Sequence, residues 1–286
     1  MIEDSRAGFQ PHGRPPVTIG IPAELLLALF LLAAIIPLGM AAWTSGSSDH
    51  VPTELGAASA ILAATLLYLQ FLSSGRFEAL SGKIGIDRTM GFHRIAGLAI
   101  LIFAFVHPFS YISGTLLDNP AASASRLYAL VTSPRLRSGV IAIALLTVLI
   151  GFALIRTRRF VRYELWRAAH GPIALVAGGL TLHHAIRAGT YSADETLRVI
   201  WIIYALTALG AAIITYFVRP WRMWRERWQV EAASVNADGV TQLVLRGPEH
   251  TKFHARGGQF LWLSISPHSP PFHDHPFSIA SSAGYL

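Results

Sequence analysis

Five histidines lie within long apolar stretches of this 286-residue sequence, and their spacing is regular. His93 and His107 are 14 residues apart in one stretch, and His170 and His184 repeat that spacing in another. In an α-helix, 14 residues return to within about 40° of the same face and advance roughly 21 Å. The pattern predicts two levels with two imidazoles each, His93 with His170 and His107 with His184. It fits two bis-histidine haems stacked across a membrane core about 30 Å thick.

His183 competes with its neighbour His184 for the second of these levels. Its spacing of 13 from His170 turns it about 140° away from the shared face of an ideal helix. A π-bulge or a kink near Gly171-Pro172 would correct that phase. The sequence therefore favours His184 as the ligand and leaves His183 as the alternative.

Two other kinds of site use intramembrane histidines: proton relays and zinc sites. A proton relay usually includes buried carboxylates, and no apolar stretch of this sequence has Asp or Glu near its middle. Zinc takes about four protein or water ligands, whereas each level offers only two histidines. With no cysteine in the chain, thiolate-bound clusters and cysteine zinc sites are excluded.

The elements that position these histidines are membrane helices. The chain is 52% hydrophobic and only 14% charged, against about 25% charged residues in soluble domains. A membrane helix needs about 20 apolar residues. The sequence predicts a mostly α-helical membrane protein with a six-helix bundle, and its spans are near 22–43, 55–73, 91–113, 138–156, 168–187 and 197–218.

Positive charge alternates between the connections of these spans. The net charge is +7, and most Lys and Arg lie in the N-terminal tail and after the second, fourth and sixth spans. The positive-inside rule then places both termini in the cytoplasm, so that His93 and His170 lie at the inner level and His107 and His184 at the outer one. Since the arginines follow topology, we expect no nucleic acid partner. The bilayer is the predicted environment, and the sequence gives no oligomeric state.

Beyond residue 228 the apolar runs give way to alternating patterns. Residues 229–246 alternate around a turn at 236–239 and predict a β-hairpin, and 259–265 and 276–280 read as further strands. About 60 residues of open sheet have little core. We therefore expect that the chain ends inside a β domain or that a partner completes this domain.

The second motif is HPFSIAS at residues 275–281, preceded by GQF at 258–260. With the paired histidines upstream, the chain resembles the ferric reductase and NADPH oxidase superfamily over about 20–286. That resemblance implies a six-helix transmembrane domain with two b-type haems, followed by a ferredoxin-reductase-type FAD barrel. It divides the chain into a cytoplasmic tail (1–19), the transmembrane domain (20–220) and the first part of the FAD domain (221–286).

The resemblance also implies roles for the motif residues. Ser278 is expected to hydrogen-bond the flavin ring, Phe277 to pack against it, and His275, followed by Pro276, to lie beside the flavin or its phosphates. In the superfamily a nicotinamide-binding domain follows, with a Gly-rich loop that this sequence does not contain. We therefore expect this chain to be a truncated member of the superfamily that lacks the binding site for NAD(P)H.

The leading functional prediction is a transmembrane oxidoreductase of the bacterial inner membrane. It would pass electrons from cytoplasmic NAD(P)H through FAD and two haems b to a small acceptor outside, either ferric iron or oxygen. The alternatives are a membrane cytochrome b subunit fed by a separate reductase or by quinone, and a non-enzymatic proton-coupled transporter that uses the histidines.

Overall fold

The computed structural model describes most of the helical region and part of the C-terminal region. The described residues are 21–45, 50–75, 77, 80, 84–155, 163–189, 191–235, 237, 239–248, 260–264 and 274–278. By its internal contacts the chain divides into two units, a helical unit at 20–224 and a terminal unit that includes 225–286.

The helical unit consists of helices with short connections. They are α1 (Ala23–Ser45), α2 (Val51–Leu69), α3 (Ile86–Ser113), α4 (Pro120–Thr132), α5 (Arg137–Ile155), α6 (Tyr163–Ala188) and α7 (Glu195–Ile213). A π-helical turn at Ile214–Val218 continues α7 into α8 (Arg219–Arg225), where the division between the units falls, and a short 3₁₀ turn at Tyr191–Ala193 precedes α7.

Side chains that cap the helices explain two of these starts. The side-chain oxygen of Asn119 accepts a hydrogen bond from the backbone of Ala122 at the start of α4, and Asp194 accepts one from Leu197 at the start of α7. Such caps satisfy backbone N–H groups that have no partner within the helix. Pro120 at the first position of α4 already has the helical φ and needs no hydrogen bond there.

Within the described part of the chain, five helices are long and apolar enough to cross a bilayer: α1, α2, α3, α5, and α7 together with its continuation to Arg225. Their exposed faces carry large apolar side chains such as Leu32 and Phe217, as expected of surfaces that contact lipid. The prediction of an integral membrane protein is confirmed. The fifth predicted span, 168–187, corresponds to α6, in which three histidines and several glycines lower the hydropathy. The count of six spans is not confirmed.

Two apolar clusters hold the helical unit together. In the first, Tyr68 and Trp201 pack with Leu197 and Ile61, and the Tyr68 hydroxyl donates to the carbonyl of Gly178 at 3.0 Å. The second cluster joins α2, α3, α5 and α6, and it consists of Leu67, Ile100, Leu146 and Ala177. Many further buried positions are alanine, which allows the helix backbones to approach closely.

A hydrogen bond connects the start of α2 to the turn before α7. The Tyr191 hydroxyl donates to the carboxylate of Glu54 at 2.6 Å, and this bond is the main cause that raises the pKa of Tyr191 to about 12. We expect Tyr191→Phe to destabilise the protein by about 1 kcal/mol, or about 2–4 °C in Tm. Tyr128→Phe, a change on the exposed face of α4, is the control in a fluorescence-detected thermal unfolding experiment.

The pH dependence of this difference has a definite sign. Because the pKa of Tyr191 is higher in the folded state than the ordinary value of 10.0, the stabilisation is fully present below pH 10. It is lost as the pH rises from there to about 12. Equal Tm values for wild type and Tyr191→Phe at pH 8 would contradict the assignment.

The terminal unit contains two antiparallel pairs of strands. β1 (Gln229–Val235) pairs with β2 (Thr241–Arg246), and β3 (Phe260–Ser264) pairs with β4 (Asp274–Ser278). The predicted hairpin is therefore present, with Gly239 in its turn at a φ of 75° that favours glycine. The described strands form two separate sheets and no closed barrel, so the predicted start of a barrel is limited here to two hairpins.

Candidate functional site

The structure brings the predicted histidines together as two pairs between α3 and α6. The rings of His93 and His170 have centroids 6.2 Å apart, and we call these residues the first pair. The rings of His107 and His184 also have centroids 6.2 Å apart, and they form the second pair. The planes of the two rings differ by 53° in the first pair and by 74° in the second.

This separation can be compared with that of two imidazoles on opposite sides of one metal ion. With a metal–nitrogen bond of about 2.0 Å and a ring centre about 1.1 Å beyond the nitrogen, the two centres lie about 6 Å apart. Both pairs fit this value. Among the described residues, no group of three or more His, Cys, Asp or Glu is placed to hold a metal. A metal at either pair therefore needs further ligands of its own, as the iron of a haem has.

A closed set of hydrogen bonds surrounds His93 in the first pair. The Ser73 hydroxyl donates to the side-chain oxygen of Gln70 at 2.6 Å, and the Gln70 amide donates to the carbonyl of His93 at 2.7 Å. The Ser73 oxygen lies 3.3 Å from Nδ1 of His93. Because the Ser73 proton is used toward Gln70, this oxygen acts as an acceptor for Nδ1–H. The Nε2 atom of His93 is then the nitrogen that carries the lone pair for a ligand.

A largely apolar cavity of about 670 Å³, including its open mouth, lies at the first pair and is lined by both histidines. Tyr216 from the π-helical turn also lines the cavity. Its hydroxyl lies against Gly171, where an added Cβ would be 1.9 Å from it. A side chain at position 171 would therefore have to displace Tyr216 from the cavity. π-turns of the kind that carries Tyr216 are frequent at functional sites.

The second pair is held by main-chain groups. Nδ1 of His107 lies 2.8 Å from the carbonyl oxygen of Gly56 and donates to it, which leaves Nε2 of His107 as its ligand atom. Tyr111, one turn further along α3, contacts the His107 ring edge-on, with centroids 5.4 Å apart. The His184 ring lies directly against Gly139 of α5.

His183 points elsewhere. Its side chain is exposed, and its Nδ1 lies 3.0 Å from the hydroxyl of Ser138 on α5. α6 is a continuous α-helix across Gly171-Pro172, so the bulge that would have brought His183 into phase is not present in it. The geometry thus places His184 and not His183 opposite His107. Which histidine binds a metal stays a prediction.

The flavin motif coincides with a strand. β4 contains His275, Pro276, Phe277 and Ser278, and in its register Ser278 pairs with Phe260 of β3 and Phe277 with Leu261. The Phe277 side chain is about half exposed. The other side chains of the motif, and residues 279–281, lie outside the described residues. The structure therefore gives the motif a strand and leaves its contacts with flavin a prediction.

Several residues at the two pairs were not predicted from the sequence: Gln70, Ser73, Gly56, Gly139 and Tyr216. A signal existed for Gln70 and Ser73, because they are polar residues at the end of an otherwise apolar predicted span, where polar groups usually have a function. The two glycines carry no such signal, since their importance depends on which ring lies against them.

Comparison with known proteins relates part of the helical unit to one family. Residues 59–181 match the family described as the ferric reductase like transmembrane component. This range includes α3, α5, His93, His107 and His170, and it ends within α6. An uncharacterized protein of Archaeoglobus fulgidus is 23% identical over 171 residues, which are 58% of this chain and 93% of that protein. The family match indicates a transmembrane oxidoreductase.

Proposed function

We propose that the chain moves electrons across a membrane with two haems b, because residues 59–181 match the family described as the ferric reductase like transmembrane component. His93 and His170 would hold one haem, and His107 and His184 the other. A haem bound in this way supplies one-electron transfer at its iron.

One observation carries the proposal: two pairs of histidines have the same ring separation of 6.2 Å and connect the same two helices. A single pair would also fit a packing contact. Two pairs at a spacing of 14 residues on both helices give two sites roughly 21 Å apart along the helices. Two haems at this separation would divide the transfer of an electron across a membrane core of about 30 Å into shorter steps.

The residues around the pairs have roles in binding and orientation. The Ser73 oxygen, whose own proton is donated to Gln70, accepts the Nδ1 proton of His93, and the carbonyl of Gly56 accepts that of His107. Nε2 of each ring would therefore be the atom that binds a metal. Such hydrogen bonds also raise the basicity of an imidazole ligand, which favours the oxidised metal. The apolar cavity walls at the first pair would limit the access of water to a haem held there.

The direction of transfer is part of the proposal. The Lys and Arg pattern supports cytoplasmic termini, and the first pair would then lie at the inner level. FAD would bind at His275, Pro276, Phe277 and Ser278 and receive electrons from NAD(P)H, which the full-length protein would bind. The acceptor outside would be a small molecule, ferric iron or oxygen, and the membrane a bacterial inner membrane.

A membrane cytochrome b subunit fed by a separate reductase or by quinone is the second candidate. It is favoured by one feature: both histidine pairs lie within the helical unit, so the haems would need no residue of the terminal unit. The same haems would serve this function, and only the source of the electrons would differ.

The test is the haem content of the purified protein in detergent. We expect a pyridine haemochrome assay to give two haems b per chain, both reducible by dithionite. A protein expressed with excess haem that shows no Soret band would overturn the proposal. For the flavin, the full-length protein is used: Ser278→Ala should slow NAD(P)H-driven haem reduction, whereas Ser264→Ala on β3 should not. If the full-length protein binds no FAD but contains both haems, the cytochrome subunit is the better description.

A further inference from the structure

We propose that the first turn of α5 selects which of two adjacent histidines of α6 completes the second pair. Ser138 and Gly139 act as positioning residues: Gly139 accepts the ring of His184, and Ser138 holds His183 away. This inference rests on the proposed function, because the selected histidine is the one that would bind the second haem.

The selection begins from helix geometry. Adjacent residues of an α-helix point about 100° apart, so His183 and His184 cannot both face His107. α6 is regular over this region, so replacing one ring by the other opposite His107 requires a rotation of the helix by about 100°. The neighbouring helix α5 contacts both of them, each through a different residue of its first turn.

Gly139 provides the space for His184. A Cβ built at this position would lie 2.7 Å from Nδ1, 2.8 Å from Cε1 and 2.9 Å from Cγ of the His184 ring. Any side chain at 139 must therefore displace the ring, because distances below 3.0 Å are not found for real Cβ atoms. The helix has no conformational need for glycine here, since α5 is regular and Gly139 has no positive φ.

The packing of the His184 ring against Gly139 also takes the place of a hydrogen bond that would orient this ring. Nδ1 of His184 is buried and has no hydrogen-bond partner among the described residues, in contrast to Nδ1 of His107, which donates to Gly56. Ligand histidines are usually oriented by a hydrogen bond at the second nitrogen. For His184 this orientation comes from close packing against the Gly139 backbone.

Ser138 acts on the other histidine. Its side chain is buried, and its hydroxyl lies 3.0 Å from Nδ1 of His183. This hydrogen bond fixes the His183 ring at the edge of α5 on the exposed side of α6. Two consecutive residues in the first turn of α5 thus act on two consecutive histidines of α6. Ser138 hydrogen-bonds His183, and Gly139 leaves room for the ring of His184.

The experiment compares Gly139→Ala with Gly151→Ala in the purified haem-containing protein. Gly151 lies on the same helix, so the control makes the same glycine-to-alanine change in a helix. A Cβ at Gly151 meets nothing within 4 Å, so the control touches neither histidine. We expect Gly139→Ala to weaken haem binding at the second pair by about 10–100-fold, or to change its low-spin ferric EPR signal, which depends on the angle between the two imidazole planes. Gly151→Ala should keep both signals.

The haem of the first pair reports on folding in the same sample. If Gly139→Ala retains the first signal and leaves the second unchanged in content and EPR, the selection by Gly139 is wrong. If the variant does not fold, Ser138→Ala decides: released from Ser138, His183 competes for the site, and the second signal should split into two forms. Adding His183→Ala should restore one form. An unsplit signal in Ser138→Ala would overturn the proposal, whereas a wild-type protein without haem would overturn the proposed function instead.

Discussion

Replacing His93 by alanine is expected to remove about half of the haem b absorbance, since one of the two proposed bis-histidine sites would be lost. The remaining ligand, His170, cannot give six-coordinate iron alone, and the cavity at this pair is otherwise largely apolar. The measurement is a pyridine haemochrome assay on protein purified in detergent. His50→Ala is the matched control, because His50 is an exposed histidine that precedes α2 and belongs to neither pair.

The identity of the haem that is lost makes the test sharper. The EPR signal that remains in His93→Ala should be the one that disappears in His107→Ala. A full complement of haem in His93→Ala would exclude His93 as a ligand. Loss of both haems from a monodisperse variant would show that the two sites are not independent.

At the second pair, we expect His184→Ala to lose the second haem and His183→Ala to keep it. The physical reason is the ring geometry: His184 lies 6.2 Å from His107 between ring centroids, whereas His183 is exposed and bound to Ser138. Haem content and the low-spin ferric EPR signal measure the outcome. Each variant serves as the control for the other, because they differ by one position on one helix.

The opposite result would have a clear meaning. If His183→Ala lost the second haem and His184→Ala kept it, the helix would turn by about 100° at this level when haem binds. The hydrogen bond between His183 and Ser138 would then have to break, and the contact between His184 and Gly139 would be a packing contact alone.

The long apolar helices and the pairing of the histidines could be predicted from the sequence, and the reasons are physical. A span is visible as an apolar run of sufficient length, and the predicted 91–113 and 138–156 lie close to α3 and α5. The pairing follows from helix periodicity, because a spacing of 14 returns to the same face. The hairpin at 229–246 follows from alternation around a turn.

Other features required tertiary information. The helix α4 lies in a segment read from the sequence as a connecting loop, although Asn119-Pro120 is a typical helix start. The π-turn that carries Tyr216 has no local signature in an apolar run. The contacts of Gly56 and Gly139 depend on how α2 and α5 lie against α3 and α6, and no periodicity within one helix contains that information.

The two histidine levels differ in what a single mutation can change. Substitution of Ser73 or Gln70 alters the hydrogen bonds of His93 directly, so the partner of this ring is adjustable one side chain at a time. His107 instead donates to a main-chain carbonyl, which every amino acid possesses, and that bond therefore survives any change of side chain that leaves the backbone in place. With haems bound as proposed, natural variation among related proteins would thus change the redox potential of the first level more readily than that of the second.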